Sequence, residues 1–168
     1  MTLKSEWLAD INDMHYKFGA TEWVDLMHRS KNYKVLKDFL AFRLDFLEEE
    51  YEETLKAFMK GDHKEVVDGL IDLIVIAIGT LDLFKCDADE VWDKIHNSNM
   101  LKEPGTNKSR PNPFGLPDMV KPERWLGPRI TEKNCGILPD ILTESEIDRN
   151  KRDLENEFKN NIANSQYE

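Results

Sequence analysis

Apolar residues recur every three to four positions over much of the chain up to residue 101, which is the spacing of one face of an α-helix. Residues 3–18 carry the first such pattern, and Gly19 ends it. Residues 33–59 carry a much longer pattern without glycine or proline, which Gly61 ends. Asp62 is placed to cap a further helix that runs to about residue 84. The chain therefore predicts a long helical hairpin preceded by a shorter helix.

Two further segments complete the predicted helical core. Residues 21–29 contain apolar side chains but fit either a short helix or an irregular connector. Residues 87–101 predict another helix, with acidic residues at its start and Lys102 at its end, as the helix dipole favours. The stripe of the first helix is expected to face the core, and its members are Leu3, Trp7, Leu8, Ile11, Met14, His15 and Phe18. We therefore expect an all-α fold with a four-helix core.

The second half of the chain has a different composition. All seven prolines lie between residues 104 and 139, so this arm cannot be one continuous helix or sheet. Its apolar side chains, such as Trp125 and Ile137, predict that it lies against the helical domain or a neighbouring subunit. Residues 143–161 begin with a capping sequence and predict a last helix. The expected regions are a helical core (1–103), a proline-rich extended arm (104–142) and a C-terminal helix and tail (143–168).

The net charge of −10 argues against a protein that coats a nucleic-acid polymer, because such binding depends on Lys and Arg neutralising phosphates. An acidic protein can still act on a phosphate compound if divalent cations reverse the local field.

The most apolar stretch, residues 70–84, is shorter than the roughly 20 residues of a membrane span and contains two aspartates, so we predict no membrane segment. The start of the chain lacks the apolar core of a signal peptide, and Cys86 and Cys135 fit free thiols in a reducing cytoplasm.

Acidic residues lie at matching heights on the two helices of the predicted hairpin. Glu50 lies eleven residues before Gly61 and Asp72 eleven after it, so each is about 16 Å from the turn at about 1.5 Å per residue. Glu53 and Asp68 should meet about one turn nearer the bend. Within each helix the two carboxylates are three or four positions apart and share a face. Four facing carboxylates repel one another, which predicts divalent cations between them.

An acidic run such as residues 48–53 is most often only a solvated helix face, because glutamate is a good helix former. Asp72 changes this balance, since it lies in an apolar run where an unpaired carboxylate is strongly unfavourable. Oxygen ligands without Cys or His favour Mg²⁺ or Mn²⁺, and Mg²⁺ is the usual partner of substrate phosphates. We expect two or more such ions, which would neutralise a triphosphate and activate water.

These motifs resemble those of the MazG-like all-α nucleoside triphosphate pyrophosphohydrolases, relatives of dimeric dUTPases and phosphoribosyl-ATP pyrophosphohydrolase. The resemblance covers residues 7–102 and rests first on Glu49-Glu50-Tyr51-Glu52-Glu53 and Asp68-Gly69-Leu70-Ile71-Asp72-Leu73-Ile74. Segments 13–19 and 95–102 further resemble small stand-alone, often phage-encoded, members. One departure is that the second motif commonly has glutamate three residues before its aspartate, where this chain has Gly69. We expect Asp68, one residue earlier, to take its place with a shorter side chain and from a position rotated by about 100° around the helix.

The resemblance implies Mg²⁺-dependent hydrolysis of a (deoxy)nucleoside triphosphate to its monophosphate and pyrophosphate by a homodimer or homotetramer. The location it implies is the cytoplasm, or the host cytoplasm for a phage-encoded protein. Some phage-type relatives favour purine deoxynucleotides, so dGTP or dATP is the substrate that the resemblance suggests. The implied site residues are Glu49, Glu50 and Glu53 for catalysis; Glu50, Glu53, Asp68 and Asp72 for metal binding; and His15, Arg43, Asn99 and Lys102 for substrate binding.

Other interpretations stay open at this stage. One is a phosphoribosyl-ATP pyrophosphohydrolase or an enzyme that removes damaged nucleotides. Another is a helical adaptor whose arm and last helix bind a partner, with the acidic cluster only a solvated surface. Residues 70–84 are apolar nearly all round, which a lone four-helix unit cannot cover, so we also predict a homo-oligomer with its active sites near the subunit interface.

Overall fold

The computed structural model describes residues 6–107 and 112–142 and is mostly helical, which confirms the expected all-α fold. The core helices are α1 (Glu6–Lys17), α2 (Ala20–Arg29), α3 (Tyr33–Lys60), α4 (His63–Leu83) and α5 (Ala88–Met100). The arm contains β1 (Glu103–Gly105), β2 (Asp118–Val120), a 3₁₀ turn (Glu132–Cys135) and α6 (Leu138–Ile141). The predicted start of the first helix at residue 3 and the predicted helix over residues 143–161 lie outside the described residues.

The α3–α4 hairpin forms as its end signals predict. Gly61 adopts a left-handed conformation with φ 72°, and the Gly61 amide donates to the Phe58 carbonyl at 3.0 Å, which ends α3. The Asp62 side chain then accepts hydrogen bonds from the amides of Lys64 and Glu65 and caps α4. These local signals turn the chain back on itself, so α4 packs antiparallel along α3.

The core lies where α2, α3, the end of α4 and α6 meet. Its most buried apolar side chains are at most 1% exposed, and they are Val24, Leu36, Leu83, Phe84 and Ile141. Val24 explains why residues 20–29 form a regular helix rather than a connector, because a helix places it against α3 while its polar neighbours stay outside. Residues 6–100 therefore form five helices, α1–α5, one more than the four expected.

The predicted core stripe of α1 is only partly buried. Ile11 and His15 are buried, but Trp7, Met14 and Phe18 are 52%, 37% and 73% exposed, so the expectation was wrong for these three side chains. The reason is that α1 contacts α4 and α2 along one narrow face, which covers only the middle of its stripe.

The described part of the arm packs against the helical core, which confirms the expected packing. The Trp125 indole donates to the Ser98 carbonyl at 2.9 Å, and Ile141 is fully buried. The arm is also more regular than its prolines suggest, since β1 pairs antiparallel with β2 and Pro104 lies opposite Met119. Proline is tolerated there because a two-stranded sheet has only edge strands. The boundary at residue 103 stays a prediction.

None of the helices in the described chain combines the length and apolar character that a bilayer crossing requires.

Candidate active site

An open groove of about 300 Å³ runs between α3 and α4 and contains acidic side chains of both helices. Glu50 and Asp72 are half-buried in it, whereas Glu53 and Asp68 are exposed at its edge. The other residues that line it are Thr54, Lys56, Ala57, Lys60, Asp62, Glu65 and Gly69. The hairpin therefore places in one groove the four carboxylates that the sequence predicted to face one another, Glu50 with Asp72 and Glu53 with Asp68. Glu49 is exposed and lies outside the groove lining.

The electrostatics of the groove reflect this crowding. Burial raises the pKa of Glu50, and the negative charges of Asp72, Glu53, Glu49 and Asp68 raise it further. Within residues 6–107 and 112–142, no three acidic, His or Cys side chains converge closely enough to form a ready-made metal site. Ligation would need side-chain rotation, which the exposed Glu53 and Asp68 are free to make.

A buried polar cluster lies where α1 crosses α4. His15 is 5% exposed, and its Nδ1 lies 2.8 Å from the Asp82 carboxylate. The Asn12 amide donates to the other oxygen of that carboxylate at 3.0 Å. Asp82 and Asn12 were not predicted as site residues. Asp82 could have been identified from the sequence, because it is a carboxylate within an apolar run, as Asp72 is.

Arg43 reaches the same cluster from α3. Its Nε donates to Thr80 Oγ1 at 3.1 Å and its Nη2 to the Ile76 carbonyl at 2.9 Å. Burial lowers the pKa of Arg43. A Cβ atom at Gly79 would lie 3.0 Å from both Arg43 Nη2 and His15 Cε1, so these two side chains converge on that glycine. Arg43 lies seven residues before Glu50, which puts it about 10 Å along the same face of α3.

Asn99 and Lys102, the other predicted substrate residues, lie at the end of α5. The Lys102 ammonium donates to Asn99 Oδ1 at 2.8 Å and stands 5.4 Å from the centre of the Trp125 ring. The Lys121 ammonium lies 4.6 Å from the same ring. The structure thus places two cations around one aromatic side chain of the arm. Trp125 and Lys121 were missed by sequence reasoning because only the folded arm brings them to α5.

The acidic groove can be compared with known families. Residues 25–99 match the family described as phosphoribosyl-ATP pyrophosphohydrolase. This family belongs to the MazG-like all-α nucleoside triphosphate pyrophosphohydrolase superfamily. The matched segment contains Arg43, Asn99 and the four groove carboxylates, whereas His15 and Lys102 lie outside it. No curated protein matches the chain.

The departure at Gly69 from the acidic motif of these pyrophosphohydrolases has a structural counterpart in this chain. A Cβ atom at Gly69 would overlap the hydroxyl oxygen of Thr54 and lie 3.2 Å from its Cβ. Thr54 is held in place because its hydroxyl donates to the Glu50 carbonyl at 2.7 Å. A side chain at position 69 would therefore collide with Thr54 at this helix separation, and Asp68, one residue earlier, is an acidic residue of α4 that lines the groove.

This contact makes Gly69→Ala a sensitive test of the helix spacing. Overpacking at such a contact costs about 1–3 kcal/mol, and the better helix propensity of alanine offsets about 1 kcal/mol of it. We expect a net loss of up to about 2 kcal/mol in the free energy of unfolding, measured by urea denaturation. In a Thr54→Ala background the loss should largely disappear. Additive effects of the two substitutions would contradict the close packing of Thr54 on Gly69.

Proposed function

We propose that the α3–α4 groove hydrolyses a (deoxy)nucleoside triphosphate to its monophosphate and pyrophosphate in a Mg²⁺-dependent reaction. The proposal rests on one observation, which is that four carboxylates from two antiparallel helices, those of Glu50, Glu53, Asp68 and Asp72, line a single groove. The match of residues 25–99 to a pyrophosphohydrolase family supports the same reaction class.

The donor set of the groove fits a hard divalent cation. Its acids supply only oxygen ligands, and their mutual repulsion would be relieved by bound Mg²⁺, with Mn²⁺ as an alternative. The ligands would be Glu50, Glu53, Asp68 and Asp72, enough for two or more ions. When bound, such ions supply charge neutralisation for the triphosphate and lower the pKa of water. Glu49, exposed beside Glu50, would orient the water that attacks the α-phosphorus, which releases pyrophosphate.

Two polar groups of the fold would bind the rest of the substrate. Arg43, about 10 Å along α3 from Glu50, and the buried His15 beside it would contact the nucleotide, although two nitrogens of Arg43 already bond to α4. Asn99 and Lys102 would hold phosphate oxygens, with Lys121 adding positive charge nearby. The substrate class we propose is the purine deoxynucleotides, dGTP or dATP, with the enzyme controlling the nucleotide pool of the cytoplasm.

We also propose that the protein acts as a homodimer or homotetramer. Tyr51, Leu55 and Phe58 of α3 are 57%, 43% and 69% exposed and recur at helical spacing. On α4, Val67 and Ile71 are 63% and 45% exposed and lie one turn apart. Apolar surface of this extent on neighbouring helices is typical of a subunit interface. The expected result of light scattering is a mass of two or four chains.

The substrate proposal is tested by incubating the protein with each of the eight common nucleoside triphosphates and Mg²⁺, and measuring pyrophosphate and orthophosphate separately. We expect pyrophosphate and the monophosphate, fastest from dGTP or dATP. Phosphoribosyl-ATP and oxidised nucleotides belong in the same panel, because the matched family is named for the first. Orthophosphate as the product, or no product from any triphosphate, would refute the proposed reaction.

A further inference from the structure

The chain that follows α4 and the 3₁₀ turn of the arm run side by side in opposite directions. The Ile137 amide donates to the Phe84 carbonyl at 3.0 Å. Three residues along, the Asp87 amide donates to the Asn134 carbonyl, also at 3.0 Å. Together these hydrogen bonds place residue 84 opposite residue 137 and residue 87 opposite residue 134, so residues 85 and 86 lie opposite residues 136 and 135.

Gly136, opposite Lys85 in this register, shows how closely the two segments approach. Its φ of 56° lies in the left-handed region that favours glycine. A Cβ atom at this position would overlap the Phe84 carbonyl oxygen and the Lys85 backbone. Residues opposite one another in antiparallel β-strands have Cα separations of about 4.5–5.5 Å, within the range of about 4.4–6.8 Å that disulfides span, and the overlap at Gly136 shows that these two non-strand segments also approach closely.

The next pair in the register is Cys86 and Cys135. Both are free thiols and both are partly buried. The Cys86 thiol donates to the Cys135 carbonyl at 3.6 Å, and the Cys135 thiol is turned towards the Thr131 carbonyl at 3.4 Å. Since a carbonyl oxygen lies about 2.4 Å from its own Cα, the Cys86 sulfur is within about 6 Å of the Cys135 Cα. Forming the disulfide would require rotation of both cysteine side chains from these positions.

We infer that Cys86 and Cys135 form an oxidation site, where a small-molecule disulfide such as oxidised glutathione converts the two thiols into an intramolecular disulfide that fastens the arm to the end of α4. No activity of the acidic groove is needed for this inference. In a reducing compartment the pair stays as two thiols, and it responds when the thiol–disulfide balance becomes more oxidising.

The order of the two exchange steps follows from the surroundings of the thiols. Burial raises the pKa of Cys86 to about 11, and the neighbouring Cys135 also raises it, so Cys135 reacts first. Its thiolate attacks one sulfur of the oxidant and releases one thiolate. Cys86 then loses its proton to solvent and attacks the Cys135 sulfur, which releases the second thiolate. The protein loses two protons and two electrons, and the oxidant is reduced to two thiols.

The disulfide would cross-link positions 49 residues apart and hold the segment that leads into α6, whose Ile141 is part of the core. Closing a loop of this length restricts the unfolded chain and stabilises the folded one. From the usual relation between loop closure and thermal stability, we expect the midpoint of thermal unfolding to rise by roughly 5 °C or more.

The test treats the full chain with oxidised glutathione under native conditions and follows intact mass, peptide mapping and thermal unfolding. We expect a mass loss of two hydrogens, a cross-linked peptide pair that contains both cysteines, and a higher unfolding temperature that a reductant reverses. Cys86→Ser should instead stop at a glutathione adduct on Cys135, and Cys135→Ser should stay unmodified. A stable glutathione adduct on the wild-type protein, a disulfide between two chains, or an intramolecular disulfide without thermal stabilisation would each overturn the inference.

Discussion

Glu50→Gln and Asp72→Asn are each expected to lower turnover about 10³-fold or more. The half-buried carboxylates at the centre of the groove would otherwise hold the cations that stabilise charge in the transition state, and about 4 kcal/mol of such stabilisation corresponds to a 10³-fold rate. The measurement is steady-state release of pyrophosphate at saturating Mg²⁺. Glu52→Gln is the matched control, since Glu52 lies on the same helix but is not part of the groove lining; only its partner Lys56, 3.3 Å away, lines the groove.

Folding of these variants can be checked independently of activity. Because burial and neighbouring charges raise the pKa of Glu50 in the folded chain, its ionised form destabilises the fold above that pKa, and the effect fades as the pH falls through it. In a chelating buffer at neutral pH, Glu50→Gln should therefore unfold at the same temperature as the wild type or slightly above it. Undiminished turnover in a well-folded Glu50→Gln or Asp72→Asn protein would refute the assignment of the groove as the site.

Asp82→Ala is expected to lower the free energy of unfolding by about 2–4 kcal/mol, because it leaves His15 and Asn12 without their shared acceptor in a buried environment. The side chains of His15 and Asp82 are 7% and 14% exposed. The change is measured by urea denaturation followed by circular dichroism.

The chain supplies a control for burial in a second histidine–aspartate pair. His28 and Asp140 are also 2.8 Å apart, but their side chains are 32% and 53% exposed. Asp140→Ala should cost no more than about 1 kcal/mol, because an exposed pair is screened by water. Equal losses in Asp82→Ala and Asp140→Ala would show that the α1–α4 cluster gains nothing from its burial.

The hairpin and its acidic face could be predicted from the sequence because both depend on local rules. Gly61 ends α3 and Asp62 caps α4, so the turn position is fixed by two adjacent residues, and the helical rise then sets the heights of Glu50 and Asp72. Asp72 also carried a signal of its own as a carboxylate among apolar residues.

Tertiary contacts determine the features that the sequence did not predict. His15 and Asp82 are 67 residues apart in the chain. Their contact could be predicted only if the packing of α1 on α4 were already known. The separation of α3 and α4 at Thr54 and Gly69 likewise depends on the packed hairpin. Residues 20–29 were ambiguous for a related reason, since burial of Val24 in the folded core decides that they form a helix.

The most direct test of the proposed site is calorimetric titration of Mg²⁺ into the full chain together with a non-hydrolysable nucleoside triphosphate. We expect saturable binding of both by the wild-type protein, and loss of Mg²⁺ binding in Glu50→Gln and Asp72→Asn but not in Glu52→Gln. If the wild-type protein binds neither Mg²⁺ nor the triphosphate, the carboxylates of the groove are a solvated surface, and the helical adaptor becomes the better account of this chain.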